Sequence, residues 1–403
     1  MRKFAILLIT LILMLSLFSG INVSASDNIK AKNDIFAVSR GGDTSRFPQN
    51  SIEAIEACLE LNIDAVSATA RKTKDGKIVL FEQESTKDIC VDKSGKRVDK
   101  KISETDYKTL SSYFLLSPGS KNLSRKTNSK ITLMTDAFEA IKGKMIMIID
   151  CDEAILDDVY EEIFLGGFAH DVIFRCNEMK TEDLLSWASS KVAKPEIIAS
   201  YHGNVIFSAI NKYNFAKNNN ICAAEFTTKN PYGVVYSDFF TSRFSAIKVV
   251  APVYDENLCG KRPDNISGWE DLISRGYNII ETANAKEFSA YISLLEENLN
   301  SLENVYNNLK DTDLSRFTPA STENFKKNLE NAEKILKAEK TASVAEIGKC
   351  IDDIELSANE FENADGNNDK AFSVTPMKIF WIVFALALFV SSQIYLFKKT
   401  KKA

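Results

Sequence analysis

The amino-acid sequence predicts a (β/α)8 barrel, followed by a small all-α helical bundle and one C-terminal transmembrane helix. Three observations carry that expectation. Between about residues 30 and 285, short apolar runs alternate with helix-period stretches, giving roughly eight strands in about 255 residues. From Lys286 to Glu362 strand-like runs stop and leucines recur at helical spacing, as in Leu294, Leu295, Leu299, Leu302 and Leu309. Ile379 to Phe397 is an apolar run of about 19 residues, long enough as a helix to cover about 28 Å. An open doubly wound sheet would show the same strand–helix alternation as a barrel, so the pattern alone leaves both open.

The elements follow in order. Arg2 and Lys3 precede an apolar run from Phe4 to Phe18 and small residues at Val23, Ser24 and Ala25, the pattern of a signal peptide (residues 1–25) cleaved after Ala25. Ile35 to Val38 reads as a buried strand. Asn50 stands at an N-cap with Glu53 three residues on, opening a helix whose apolar face is Ile52, Ile55, Leu59 and Leu61. Ala65 to Ala70 is the next strand, Lys74-Asp75-Gly76 a tight turn, and Ile78 to Phe81 a further strand. After a polar excursion from Glu82 to Asn128, Met145 to Ile149 forms an apolar strand ending at Asp150. Later strands are expected at Val172 to Phe174, Ile197 to Ala199, Ala223 to Phe226, Ile247 to Val250 and Tyr277 to Ile280.

Beyond the barrel, residues 286–362 read as a helical stalk, with Thr318-Pro319 suited to a helix start. Asn363-Ala-Asp-Gly-Asn-Asn-Asp369 opens a flexible linker (363–376) to the span (377–397). The tail (398–403) carries Lys398, Lys399, Lys401 and Lys402, and positive charge beside a span favours the cytoplasmic side. The expected location is therefore the cell membrane, single-pass, with the body outside.

At 403 residues and 45% hydrophobic content the chain can bury one large core and still form a smaller module. Its net charge of -5, without clustered Lys and Arg, excludes nucleic acid as an expected partner. The cysteines, at positions 58, 90, 151, 176, 222, 259 and 350, include no Cys-x-x-Cys pair and read as buried free thiols. The two histidines, His170 and His202, have no metal-spaced partner.

The motifs add a resemblance. Ser39-Arg-Gly41, Pro48-Gln-Asn-Ser51, Ser67-Ala-Thr69 ahead of Thr73-Lys-Asp-Gly76, and Phe81-Glu-Gln83 resemble, in order and spacing, motifs of the glycerophosphodiester phosphodiesterase family. There they read His-Arg-Gly, Pro-Glu-Asn-Thr, Glu-x-Asp, Thr-Lys-Asp-Gly and Phe-His-Asp. The resemblance implies a TIM barrel, two histidines as general acid and base, and a divalent cation, Ca²⁺ or Mg²⁺, held by carboxylates. Residues 286–362, through Leu309 to Phe325, Leu329 to Ala332 and a closing helix through Leu356 and Phe361, similarly resemble the FIVAR module, a small three-helix bundle recurring in surface proteins of Gram-positive bacteria.

Carried over residue by residue, the catalytic histidines fall on Ser39 and Glu82, and the metal positions on Gln49, Ser67, Thr69 and Asp150. Only Asp150 keeps an acid, so no cofactor is expected. The later Trp-Thr and Thr-Asp pairs of the family are Ala251-Pro252 and Glu281-Thr282 here. Arg40 and Asn50 persist as ligand-binding candidates, because a guanidinium can grip phosphate without a metal; a structural salt bridge is the other reading of Arg40. The acidic residues Glu82, Glu84, Asp150 and Asp152 read as a solvated rim. The expected function is a catalytically inactive, membrane-anchored surface protein used for binding or scaffolding, with a phosphate-bearing surface polymer or a glycerophosphodiester as partner. The competing expectation is a divergent phosphodiesterase acting on such diesters in lipid metabolism.

Overall fold

A computed structural model describes residues 35–117, 125–244, 247–337 and 342–362. The expected signal peptide, linker, transmembrane segment and basic tail lie outside them. Among the described residues no helix is long and apolar enough to cross a membrane.

Eight parallel strands close into a barrel: β1 (Phe36–Arg40), β2 (Ala65–Lys72), β3 (Ile146–Asp150), β4 (Val172–Arg175), β5 (Glu196–His202), β6 (Ala223–Thr227), β7 (Lys248–Pro252) and β8 (Ile279–Thr282). Each pairs with its sequence neighbour, and closure comes from β1, which pairs with both β8 (Phe36 opposite Ile279) and β2 (Val38 opposite Ala65). The barrel that the alternation allowed, and that the resemblance implied, is therefore present. An open sheet would leave two edges unpaired.

Helices return the chain between most strands: α1 (Ile52–Glu60), α2 (Met134–Ile141), α3 (Leu156–Gly166), α4 (Thr181–Ser190), α5 (Ile206–Asn218) and α6 (Ile266–Ser274). Between β6 and β7 the return consists of the short turns Val234–Tyr236 and Asp238–Thr241. Side chains alternate across a strand, so residues two apart share a face. Phe36 and Val38, Ala65, Ile148, Ile173, Ile198, Ala223, Val250 and Ile279 accordingly form one buried apolar cluster inside the barrel.

Three local expectations need correction. Ile78–Leu80 is a strand, but it runs antiparallel to the end of β2 (Ala70 opposite Leu80) and is not a barrel stave. The turn at Thr73–Gly76, with Gly76 at φ +80°, is too tight for the crossover that a parallel neighbour needs. The last strand begins at Ile279, two residues later than expected, and Tyr277 lies in the core with its hydroxyl donating to Val235 O (3.0 Å). The cap of α1 is Ser51, whose Oγ accepts from Ala54 N (3.2 Å). Asn50 instead has φ +61°, a left-handed conformation that asparagine tolerates.

Residues 78–133 form an excursion with its own small core of Val79, Phe81, Cys90, Ile102, Leu110, Leu115 and Ile131. The polar stretch of the sequence thus hides enough apolar residues to fold over the barrel's C-terminal end. All seven cysteines are buried free thiols.

The chain divides into two compact units, the second holding residues 300–336 and 347–362 of the described chain. Its helices are the later part of α7 (Ala285–Leu309), α8 (Pro319–Leu336) and most of α9 (Val344–Asn359). Phe361 packs on Phe317 and Phe325, with ring centroids 4.7 and 5.0 Å apart, and Asn328 Nδ2 donates to Asp353 O (2.9 Å). Thr318 Oγ1 accepts from Ser321 N (3.3 Å), the cap that Thr318-Pro319 suggested.

Gly42 marks where the mouth depends on glycine. Its φ is +91°, and a Cβ there would lie 2.5 Å from the backbone carbon and oxygen of Ala54. Gly42→Ala should therefore destabilise the protein by about 1–3 kcal/mol, read as a lower urea midpoint at unchanged slope.

Candidate functional site

The inward-facing positions change chemistry at the C-terminal end of the barrel. One step beyond the apolar cluster, on the same face, stand Arg40 after Val38, Ser67 after Ala65, Asp150 after Ile148, Arg175 after Ile173, Glu225 after Ala223 and Glu281 after Ile279. Strand periodicity alone brings them together, because each is two residues past a core side chain.

Arg175 is the centre of this layer, and its side chain is only 2% exposed. Its Nε and Nη2 donate to both oxygens of Asp150, the Nη2 bond being 3.0 Å. Its Nη1 donates to Glu225 Oε2 (2.6 Å) and Glu281 Oε2 (2.7 Å), and its Nη2 also to Glu281 Oε1 (2.9 Å). Ser67 Oγ donates to Glu281 as well.

Arg40 lies beside this centre. Its Nη1 donates to Asp150, and its Nη2 to Thr69 Oγ1 (2.9 Å) and both oxygens of Glu82 (2.7 Å each). Thr69 Oγ1 donates on to Glu82 Oε2 (3.2 Å). The Arg40 guanidinium carbon stands 5.0 Å from the ring centroid of Tyr254, within cation–π range. Arg40 Nε is buried without a hydrogen-bond partner.

Charge states follow from this packing. Burial works against charge on both arginines, yet Asp150 and Glu281 beside them outweigh it and hold both guanidiniums protonated. Burial likewise opposes ionisation of Asp150, but Arg175 and Arg40 pull its pKa below the ordinary value. Glu225 goes the other way: burial, with Glu281 and Asp150 nearby, overrides Arg175 and pushes its carboxyl up to about 7.

The remaining sequence candidates are dispersed. Ser39 faces away from the mouth, its Oγ donating to Gly42 O (2.8 Å) with the Cys58 thiol of α1 beside it. Asn50 is buried, its N–H donating to Gly41 O (2.8 Å) and its Oδ1 without a partner. Glu84 and Asp152 line a different cavity from Glu82, so the four acids named as one rim do not converge. His170 is exposed before β4, while His202 ends β5 on the rim, its Nδ1 paired with Thr227 Oγ1. Burial and Arg175 both lower the His202 pKa.

Sequence reasoning missed Arg175, Glu225 and Tyr254. A signal was present for the first two: Val172-Ile-Phe-Arg175 and Ala223-Ala-Glu-Phe226 each place one charge in an otherwise apolar strand, which is rare unless the charge is paired.

A divalent cation does not suit this donor set. Gln49, Ser67 and Thr69 bring no charge, and Asp150 already meets two guanidiniums. Among the described residues no group of three His, Cys, Asp or Glu side chains is placed to hold a metal.

Above the charged layer lies a cavity of 680 Å³. The end of β1 and the barrel loops contribute Arg40, Gln49 and Tyr254, and the excursion contributes Glu82, Asp88, Ile89 and Leu116. The mouth is thus a cleft with a floor of salt bridges.

Removal of Arg175 should be severe, because it leaves three carboxylates converging in the barrel without their shared cation. Arg175→Met is expected to cost about 3–5 kcal/mol in urea unfolding, far more than loss of an exposed pair. Glu225 sets a pH dependence. Its folded pKa of about 7 exceeds its ordinary 4.5, so the folded state keeps a proton that the unfolded chain releases. Its contribution to stability is full below about pH 4.5 and is lost as pH rises to about 7. Asp150, shifted downward, withdraws stability only under more acidic conditions. Glu225→Gln should flatten the decline in melting temperature between those pH values.

Comparison with solved structures finds the same fold in glycerophosphodiester phosphodiesterases. A glycerophosphoryl diester phosphodiesterase from Parabacteroides distasonis superposes with a TM-score of 0.50 at 20% identity, covering 66% of this chain and 89% of that one. A putative glycerophosphoryl diester phosphodiesterase from Silicibacter pomeroyi gives a TM-score of 0.50 at 10% identity, covering 66% and 95%. No family model and no curated protein matches the sequence.

Proposed function

We propose that this chain is a membrane-anchored cell-surface protein whose phosphodiesterase-like barrel binds a ligand without hydrolysing it. The observation that carries the reading is the salt-bridged floor of the mouth. Arg40 and Arg175 hold Asp150, Glu82, Glu225 and Glu281 in a closed network. Hydrolysis of a phosphodiester calls for charge stabilisation at the phosphoryl oxygens and a proton donor and acceptor beside them. The one acid retained at the family's metal positions, Asp150, spends its charge on arginines of its own chain, and Ser39 and Glu82 provide no imidazole. Loss of each acid or base removes roughly 10²- to 10⁴-fold in rate, and loss of a metal's charge adds to that.

The helices from Lys286 to Glu362 serve, in this reading, as a FIVAR-like stalk. Residues 363–403 supply the linker, the single membrane span and the cytoplasmic tail. The partner is a phosphate-bearing surface polymer or a glycerophosphodiester, and no metal cofactor takes part.

Full-length protein from the membrane fraction, with Ser26 as its expected first residue on N-terminal sequencing, provides the test. Incubated with glycerophosphocholine or bis-p-nitrophenyl phosphate and either Ca²⁺ or Mg²⁺, it should give no turnover above background. Metal-dependent turnover that purifies with the protein would overturn the reading.

A further inference from the structure

Strand register sets two cysteines side by side. β3 and β4 pair in parallel with Ile148 opposite Ile173 and Asp150 opposite Arg175, so the next residues on the two strands, Cys151 and Cys176, also stand opposite each other. Cys151 N donates to Arg175 O (3.3 Å), the bond that extends a parallel ladder by this one further pair. Asp150 and Arg175 point into the barrel, where they bond to each other. Alternation then turns both cysteines to the opposite, helix-covered side of the sheet.

Neighbouring strands lie about 4.8 Å apart, inside the range of about 4.4–6.8 Å that a disulfide spans between Cα atoms. Cys151 and Cys176 are 6% and 4% exposed. Burial pushes the Cys151 thiol up, and after burial the largest influence on it is Cys176, ahead of its chain neighbours Asp150 and Asp152. That order agrees with two sulfurs held close together. Other cysteines are placed differently: the Cys58 thiol donates to Ala54 O (3.6 Å), that of Cys222 to Ile197 O (3.0 Å), and Cys350 belongs to the second compact unit. Of the facing pair, Cys176 is the one placed to react first. Burial raises its pKa as well, but the N–H groups of Met179 and Glu178 oppose that. In the loop that folds back on its sulfur, Asn177, Glu178 and Lys180 are exposed.

We propose that Cys151 and Cys176 are a disulfide-forming pair, a modification site that clamps β3 to β4 directly behind the Asp150–Arg175 ion pair. The oxidant is a small-molecule disulfide, of the kind an extracellular location supplies. The Cys176 thiolate attacks one sulfur of that disulfide and expels the other half as a thiol, leaving a mixed disulfide. Cys151, its proton lost to solvent, then attacks the Cys176 sulfur and expels the second thiol. Two protein thiols are thereby oxidised and one disulfide is reduced to two thiols. The pairing stands on strand register alone; the membrane-anchored reading contributes only the source of oxidant.

Full-length protein incubated with oxidised glutathione at mildly alkaline pH, quenched with acid and then alkylated, tests it. Two of the seven thiols should be lost, and non-reducing peptide mapping should recover a linked pair holding Cys151 and Cys176. Cys176→Ser should abolish the link, and Cys151→Ser should stop at one glutathione bound to Cys176. Cys90→Ser, in the excursion, should still lose two thiols. The oxidised protein should unfold at a higher urea concentration than a sample reduced with dithiothreitol, since the closed loop restricts the unfolded chain. Seven thiols retained, a link between any other cysteines, or an equal or lower urea midpoint would each overturn the proposal. These three readouts use the unmutated chain, so a variant that fails to fold leaves them standing. Turnover of a phosphodiester would overturn the binding-domain reading and leave the disulfide unaffected, which keeps the two failures apart.

Discussion

A single guanidinium at the centre of a closed barrel organises the rest of the molecule. Arg175 reaches Asp150 on β3, Glu225 on β6 and Glu281 on β8 at once, tying together three strands that are not sequence neighbours. Carboxylates brought this close in a largely buried layer repel one another, and burial disfavours their charged forms. A planar group with five donors in fixed directions can satisfy several of them together, which a lysine's point charge cannot. Arg40 then completes Asp150 and Glu82, while the hydroxyls of Ser67 and Thr69 take up remaining lone pairs.

In the reading proposed above, this network accounts as a set for the departures of the motifs from the pattern they resemble. The resemblance places a divalent cation among carboxylates at this level of the barrel. Here the positive charge belongs to the chain itself, on two side chains fixed by packing below and hydrogen bonds around them. Once the cation is covalently part of the protein, acids at positions 49, 67 and 69 are no longer required to hold one, and the neutral Gln49, Ser67 and Thr69 fit that logic.

Much of the barrel was legible in the sequence because its staves are buried on both faces and read as short apolar runs. What misled the reading was local. Ile78–Leu80 has the composition of a stave but follows a turn too short for a crossover. Asn50 and Ser51 are both good caps, and only the backbone decides: Asn50 is needed at a positive φ, leaving the cap to Ser51. At the site, Arg40, Glu82 and Asp150 stood out through their motifs. Arg175 and Glu225 belong to no motif, and their signal was only one charge within an apolar strand. Ser39 drew attention by position, yet it faces α1, because alternate residues of a strand point to opposite sides.

The sequence by itself determined the succession of strands and helices, the absence of histidines and of most acids at the positions that the resemblance matches, and the separation of an α/β region from a helical one. These are properties of neighbours along the chain, set by periodicity and residue type. Tertiary structure alone decided which strand pairs with which, and so which charges meet. Arg40 and Glu281 are 241 positions apart in number, yet barrel closure through β1 and β8 brings them to 3.6 Å. A guanidinium free to grip phosphate and one locked into a salt-bridged floor look identical in sequence. They differ only in what the closing of the barrel places around them.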